Sequence, residues 1–95
     1  MNRNEFNQAL MGDPLRSARD GIRLRVKVAN AIEARAKQLR AAGEKRKAGQ
    51  LTHIDSKIRV GLRPTKKVLE AVAAELAIVA AEICDGRGDA DFRSI

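Results

Sequence analysis

Aromatic residues are nearly missing from this chain: Phe6 and Phe92 are the only two, and there is no Trp or Tyr. Sheet sandwiches carry their faces on aromatic and β-branched pairs, and single-stranded nucleic acid is held by stacking bases on aromatic rings. The sequence has little material for either. The one cysteine, Cys84, excludes an intramolecular disulfide. The one histidine, His53, and that one thiol fall short of the three or four ligands a metal centre needs, so no metal and no cofactor are expected. Long apolar runs are also missing. The opening MNRNEFNQALMGDP is polar, which leads to the expectation of a cytoplasmic protein in a reducing compartment, with no membrane partner.

What the chain does have is alanine and aliphatics: sixteen Ala, eight Leu, seven Ile and six Val among 95 residues. That composition favours one domain of closely packed helices. A chain of this length buries only roughly 60–65% of its unfolded surface, so assembly with another chain would add needed stability. The net charge of +7 is unevenly placed. Residues 14–47 carry eleven Lys/Arg against Asp20, Glu33 and Glu44, whereas residues 68–95 carry Arg87 and Arg93 against six acids. A basic first two-thirds and an acidic end point to a polyanion or to a partner with an acidic surface.

Helical spacing organises the chain. Asp13-Pro14 is a helix start, with Asp as N-cap and Pro at the first position. Leu15, Ala18, Ile22, Val26, Ala29, Ile32, Ala36 and Leu39 then recur at steps of three and four, and Gly43 follows where a left-handed cap would end the helix. The stretch GIRLRVKVAN at 21–30 alternates like a strand with a basic face, as does KIRVGLR at 57–63. Two strand–helix units are therefore the alternative architecture, but the helical seam accounts for far more of the chain.

GEKRKAGQ at 43–50 reads as a solvated loop. Thr52 and Asp55 resemble a capping box that opens a short helix over about 53–60, ended by Gly61 and Arg63-Pro64. The last helix runs from Pro64 or Thr65 to about Asp85 and is apolar nearly all round. The expected fold is thus all-α, a single helical domain over 1–95. Its parts are a polar N-terminal segment (1–12), a long basic helix (14–42), a basic loop (43–51), a short helix plus an apolar helix (52–85) and a flexible acidic tail (86–95). The apolar helix should pack antiparallel on the long one as a helical hairpin or bundle. Too few other elements remain to cover it, so Val72, Leu76, Ile78, Val79 and Ile83 are expected at a homodimer or partner interface.

Catalysis finds no support. Cys84 sits on the Ala-rich helix and His53 on another element, which suits a small core cysteine and a surface histidine. The 43–50 stretch lacks the Gly-Lys-Ser/Thr ending of a phosphate loop. Glu75 and Glu82 share a helix face and read as ion-pair partners for the basic helix. A helix-turn-helix over 54–81 is only a weak match, because Lys57 and Lys67 fall where small or core residues belong. The protein is not expected to be an enzyme.

The basic face is the positive signal. Arg16, Arg19, Arg23 and Lys27 form one line on the long helix, followed by Lys45, Arg46 and Lys47 in the loop and by Arg59 and Arg63. Guanidinium forks suit phosphate oxygens, and phosphate contacts give affinity without reading sequence. The expected function is a small non-enzymatic nucleic-acid-binding or architectural protein that grips the duplex backbone. The alternative is a protein-interaction module (a small regulator, inhibitor or assembly subunit, of phage or mobile-element type) docked on an acidic surface of a larger partner.

Overall fold

A computed structural model describes residues 2–11 and 18–84, with side chains described from residue 23 onward in the second stretch. Five helices follow one another among the described residues: α1 (Arg3–Met11), α2 (Ala18–Ala41), α3 (Lys45–Arg59), α4 (Lys66–Ala71) and α5 (Ala73–Ile83). No strand occurs among them. The all-α expectation holds, and the alternating 22–28 stretch lies within α2. The start at Asp13-Pro14, Arg16 and the 86–95 tail lie outside the described residues.

The N-terminal segment is a helix, not merely a polar lead-in. Asn2 accepts from the Glu5 N–H through Oδ1 at 2.8 Å, and its own N–H donates to Glu5 Oε1 at 2.9 Å, a reciprocal cap. Phe6, Ala9 and Leu10 are then buried at helical spacing. Asn2-x-x-Glu5 ahead of Phe6 is the sequence signal that marks this start.

The long helix ends as expected. Gly43 adopts φ +88°, its N–H donates to Arg40 O, and the Glu44 N–H donates to Leu39 O at 2.8 Å. This left-handed cap reverses the chain within three residues. Helix α3 follows at once, so the expected loop over 43–51 shrinks to the Ala42–Glu44 link and Lys45–Lys47 become helical. Charge and glycines give the run the look of a loop, but burial outweighs them. One exposed mid-helix glycine costs only about 1 kcal/mol, while Leu51, Ile54 and Ile58 are each fully buried and contribute roughly 1.5–3 kcal/mol apiece. Thr52 is therefore inside α3 rather than at its start.

Helix α3 ends with the same device. Gly61 has φ +80°, its N–H donates to Ile58 O, and the Leu62 N–H donates to Lys57 O at 2.9 Å. Thr65 then caps α4 by accepting from the Val68 N–H at 3.3 Å. The expected single C-terminal helix is broken at Val72, whose backbone (φ −120°, ψ 28°) leaves the helical region. Neither Pro nor Gly marks the break, so spacing alone could not reveal it.

Packing differs from expectation in two respects. The principal partner of α2 is α3, which runs back along it; α1 and α5 also pack on α2, each less extensively. The pairs Arg40–Thr52 and Asn30–Arg59 trace that opposite course. The seam on α2 is also rotated: Val28 is fully buried and Val26 is 38% exposed, so Val26 does not belong to the core. Buried Val28, Ala29, Ile32, Ala36 and Leu39 of α2 meet Ala48, Leu51, Ile54 and Ile58 of α3 and Leu76, Val79 and Ala80 of α5 in one cluster. Ala29, Ala36, Ala48 and Ala80 are the small members of this cluster.

Candidate nucleic-acid interface

Helix packing sorts the cations into those the fold uses and those it leaves to solvent. Arg35 of α2 crosses to α5, where its Nε donates to Glu75 Oε1 at 2.7 Å, while its Nη1 donates to Gln38 Oε1 at 3.1 Å. Glu75 is buried, and Lys47 of α3 stands 3.9 Å from its other oxygen. One carboxylate thereby ties α2, α3 and α5 together. The expected pairing of α5 with the basic helix is met by Glu75. Glu82 forms no ion pair among the described residues.

Arg59 is similarly engaged. Its Nε donates to the buried Asp55 at 2.6 Å, and its Nη2 donates to Asn30 Oδ1 at 2.9 Å and Glu33 Oε1 at 3.1 Å. A phosphate would have to displace two carboxylates to reach it. Arg63 is exposed, and its Nε donates to the Met11 carbonyl at 3.0 Å, fastening the end of α1 to the link before α4. Lys66 approaches Glu70 at 4.0 Å on the open surface, a pair worth little.

Of the remaining residues expected to contact phosphate, Arg16 lies outside the described residues and Arg19 lies on α2 with its side chain outside them. Arg23 and Lys27 are exposed and make no ion pair among the described residues; Lys37 joins them on the same outward side. Lys45 and Arg46 are exposed and likewise unpaired, in the first turn of α3. The two groups are not brought together. At 1.5 Å per residue, Arg23 is about 27 Å along α2 from the end where α3 begins.

The first turn of α3 is electrostatically unusual. Acidic residues belong at a helix N-terminus, where the unpaired N–H groups carry partial positive charge. Here the turn holds Lys45, Arg46 and Lys47, no acid, and an N-cap, Glu44, whose side chain makes no capping bond. Helix α4, in contrast, is capped by Thr65.

The expected interface residues divide in the same way. Val72, Leu76 and Val79 are buried in the chain's own core, Ile83 is half-buried, and only Ile78 is substantially exposed, at 38%. Three of the five are therefore taken up by the chain's own core, where α5 packs chiefly on α2. An open cleft of about 230 Å³ remains between α1 and α4–α5, with Phe6, Leu10, Leu69 and Leu76 as its apolar walls and Arg3 and Asn7 at its rim.

Arg25 escapes the sequence reading. It lies three residues before Val28, four before Ala29 and seven before Ile32, which is the buried line of α2. A cation in register with a buried seam is the signal that could find it, but placing Val26 on that seam hides it. Its side chain is half-buried, and its Nε has neither solvent nor a hydrogen-bond partner.

His53 is exposed on α3 and Cys84 is buried at the end of α5, on separate elements. Among the described residues no three His, Cys, Asp or Glu side chains are grouped so that they could hold a metal ion. No described helix is long and apolar enough to cross a membrane. The fold thus defines a small all-helical protein whose distinctive surface is cationic. Compared with known protein families, curated proteins and solved structures, the chain matches none.

Proposed function

We propose that this is a small non-enzymatic nucleic-acid-binding or architectural protein that holds backbone phosphates with Lys45 and Arg46 at the start of α3 and with Arg23 and Lys27 on the outward side of α2. The observation that carries this reading is the first turn of α3. Three successive cations stand where the helix dipole is already positive, with no acid in the turn. Such an arrangement works against folding, and a bound phosphate oxygen relieves it through both the side chains and the N–H groups. Few aromatics are available for stacking, which favours contact with the duplex backbone over base recognition.

Lys45→Glu/Arg46→Glu separates binding from folding. It replaces two cations by acids at the positive end of α3, which adds about 1 kcal/mol of stability. Fluorescence anisotropy with duplex DNA across salt should show the same variant losing affinity, with a log–log salt slope shallower by about 1.8. A variant that binds with unchanged affinity and slope removes this turn from the site. Wild-type binding confined to low salt would reduce the whole reading to nonspecific attraction by a +7 chain.

A second reading rests on Ile78. It is exposed on α5 beside exposed Ala74, Ala77 and Ala81, a face suited to a second copy or to a larger protein partner. On this reading the protein is an interaction module, with Ile78 at the contact.

A further inference from the structure

An open apolar cleft and an exposed aliphatic side chain lie on opposite flanks of one helix. Ala73, Ala77 and Ala80 of α5 line the cleft of about 230 Å³ on one side, with Phe6, Leu10 and Leu69 across from them. At about 3.6 residues per turn, Ile78 and Glu82 fall together on the other flank of α5, with exposed Ala74 and Ala81 between the two flanks. Ile78 is 38% exposed. An apolar cavity of about 150 Å³ already holds a benzene-sized group, so the cleft has room for one branched aliphatic side chain.

Two charges beside these features are set against their own helices. Arg3 is the first residue of α1, where the dipole is positive, and Glu82 is in the last turn of α5, where it is negative. Both are exposed, and neither makes an ion pair among the described residues. Arg3 stands at the rim of the cleft, while Glu82 follows Ile78 by one turn on the same flank. An apolar knob with an acid beside it thus matches an apolar hole with a cation beside it.

We propose that the cleft is filled by Ile78 of a second copy of this chain, with Arg3 of each copy paired to Glu82 of the other. The proposal rests on the interaction-module reading above and commits it to a homodimer. A two-fold axis running alongside α5 turns the Ile78 flank of each copy toward the cleft flank of the other, so the same contact is made twice. The cleft is incomplete in a single chain, because the side chain that fills it belongs to the other copy. Charge also selects the occupant. Helix α5 carries Glu75 and Glu82 and no Lys or Arg, so a polyanion gains nothing here, whereas two otherwise cationic chains meet on this helix with least repulsion.

The test is sedimentation equilibrium of the whole chain over a range of concentrations, with two charge reversals. The wild type should pass from monomer to dimer as concentration rises. Arg3→Glu and Glu82→Arg each set like charges against one another twice in the dimer and should weaken it about tenfold. Each also places its new charge where the helix dipole favours it, so lost assembly is not lost folding. The double variant Arg3→Glu/Glu82→Arg rebuilds both pairs and should return the dissociation constant to within about threefold of the wild type. Ala77→Leu, at an exposed position on the cleft wall, fills the cleft from its own helix and should abolish the dimer while circular dichroism stays unchanged. A wild type that is monomeric at every concentration overturns the proposal and leaves the interaction-module reading to a larger partner. A dimer that the single reversals leave intact, or that the double variant fails to restore, overturns the proposed contact. A dimer untouched by both Ala77→Leu and Ile78→Ser ends the proposal and the Ile78 reading together.

Discussion

Removing Arg35 tests whether one buried carboxylate holds three helices together. Glu75 keeps only 9% of its side-chain surface, so Arg35 at 2.7 Å and Lys47 at 3.9 Å stand in for much of the water it has lost. Breaking a buried pair by deleting one partner costs about 3–5 kcal/mol. Arg35 itself retains 23% of its side-chain surface and Lys47 remains, so water and a second cation offset part of that loss. Arg35→Met should cost about 2 kcal/mol, which at about 4–8 °C per kcal/mol lowers Tm by about 8–16 °C. Glu75→Gln still accepts a bond from Arg35 and removes the buried charge, so it should cost about 1 kcal/mol. The double variant Arg35→Met/Glu75→Leu leaves neither charge inside and should fall within about 1 kcal/mol of the wild type. Urea unfolding with a constant m-value measures all three. If Arg35→Met costs less than about 0.5 kcal/mol, or if the double variant is as damaged as Arg35→Met and Glu75→Leu, each measured alone, added together, Glu75 is an ordinary surface contact and the clamp does not exist.

Two further outcomes are expected. Gly49 sits inside α3, and a Cβ added there would meet nothing within 4 Å, so Gly49→Ala should raise stability by up to about 1 kcal/mol in thermal unfolding without touching any contact. Ile78→Ser should cost the monomer only about 1 kcal/mol and leave it folded, since the residue is 38% exposed. Mass measured in solution tells whether it breaks an assembly, and an unaltered mass with unaltered partner capture removes Ile78 from any interface.

Much of the architecture was legible in local spacing. The three-and-four recurrence from Ala29 to Leu39, the stop at Gly43 and the stop at Gly61 all depend on neighbours within a turn or two. Boundaries set by small energy differences were not legible. The run at Lys45–Lys47 looks like solvent-loving loop, yet it is drawn into α3 because Leu51, Ile54 and Ile58 bury the face that follows. The break at Val72 has no local breaker to announce it. Helix α1 carried a readable cap in Asn2 and Glu5, but its polar composition masked Phe6, Ala9 and Leu10 as core.

The candidate site divides along the same line. By itself the sequence determined that the chain is cationic, poor in aromatics and helical, because those follow from composition and period. Which cations remain available was decided only by packing. Arg35 and Glu75 are forty residues apart in the chain, and Arg59 finds Asn30 and Glu33 on another helix, so their neutralisation is invisible to any local pattern. The same packing set the Arg25 guanidinium of one helix against the Gly61 turn that ends another, at van der Waals distance. A charge is a property of a residue, but its availability depends on which distant residues the fold places beside it.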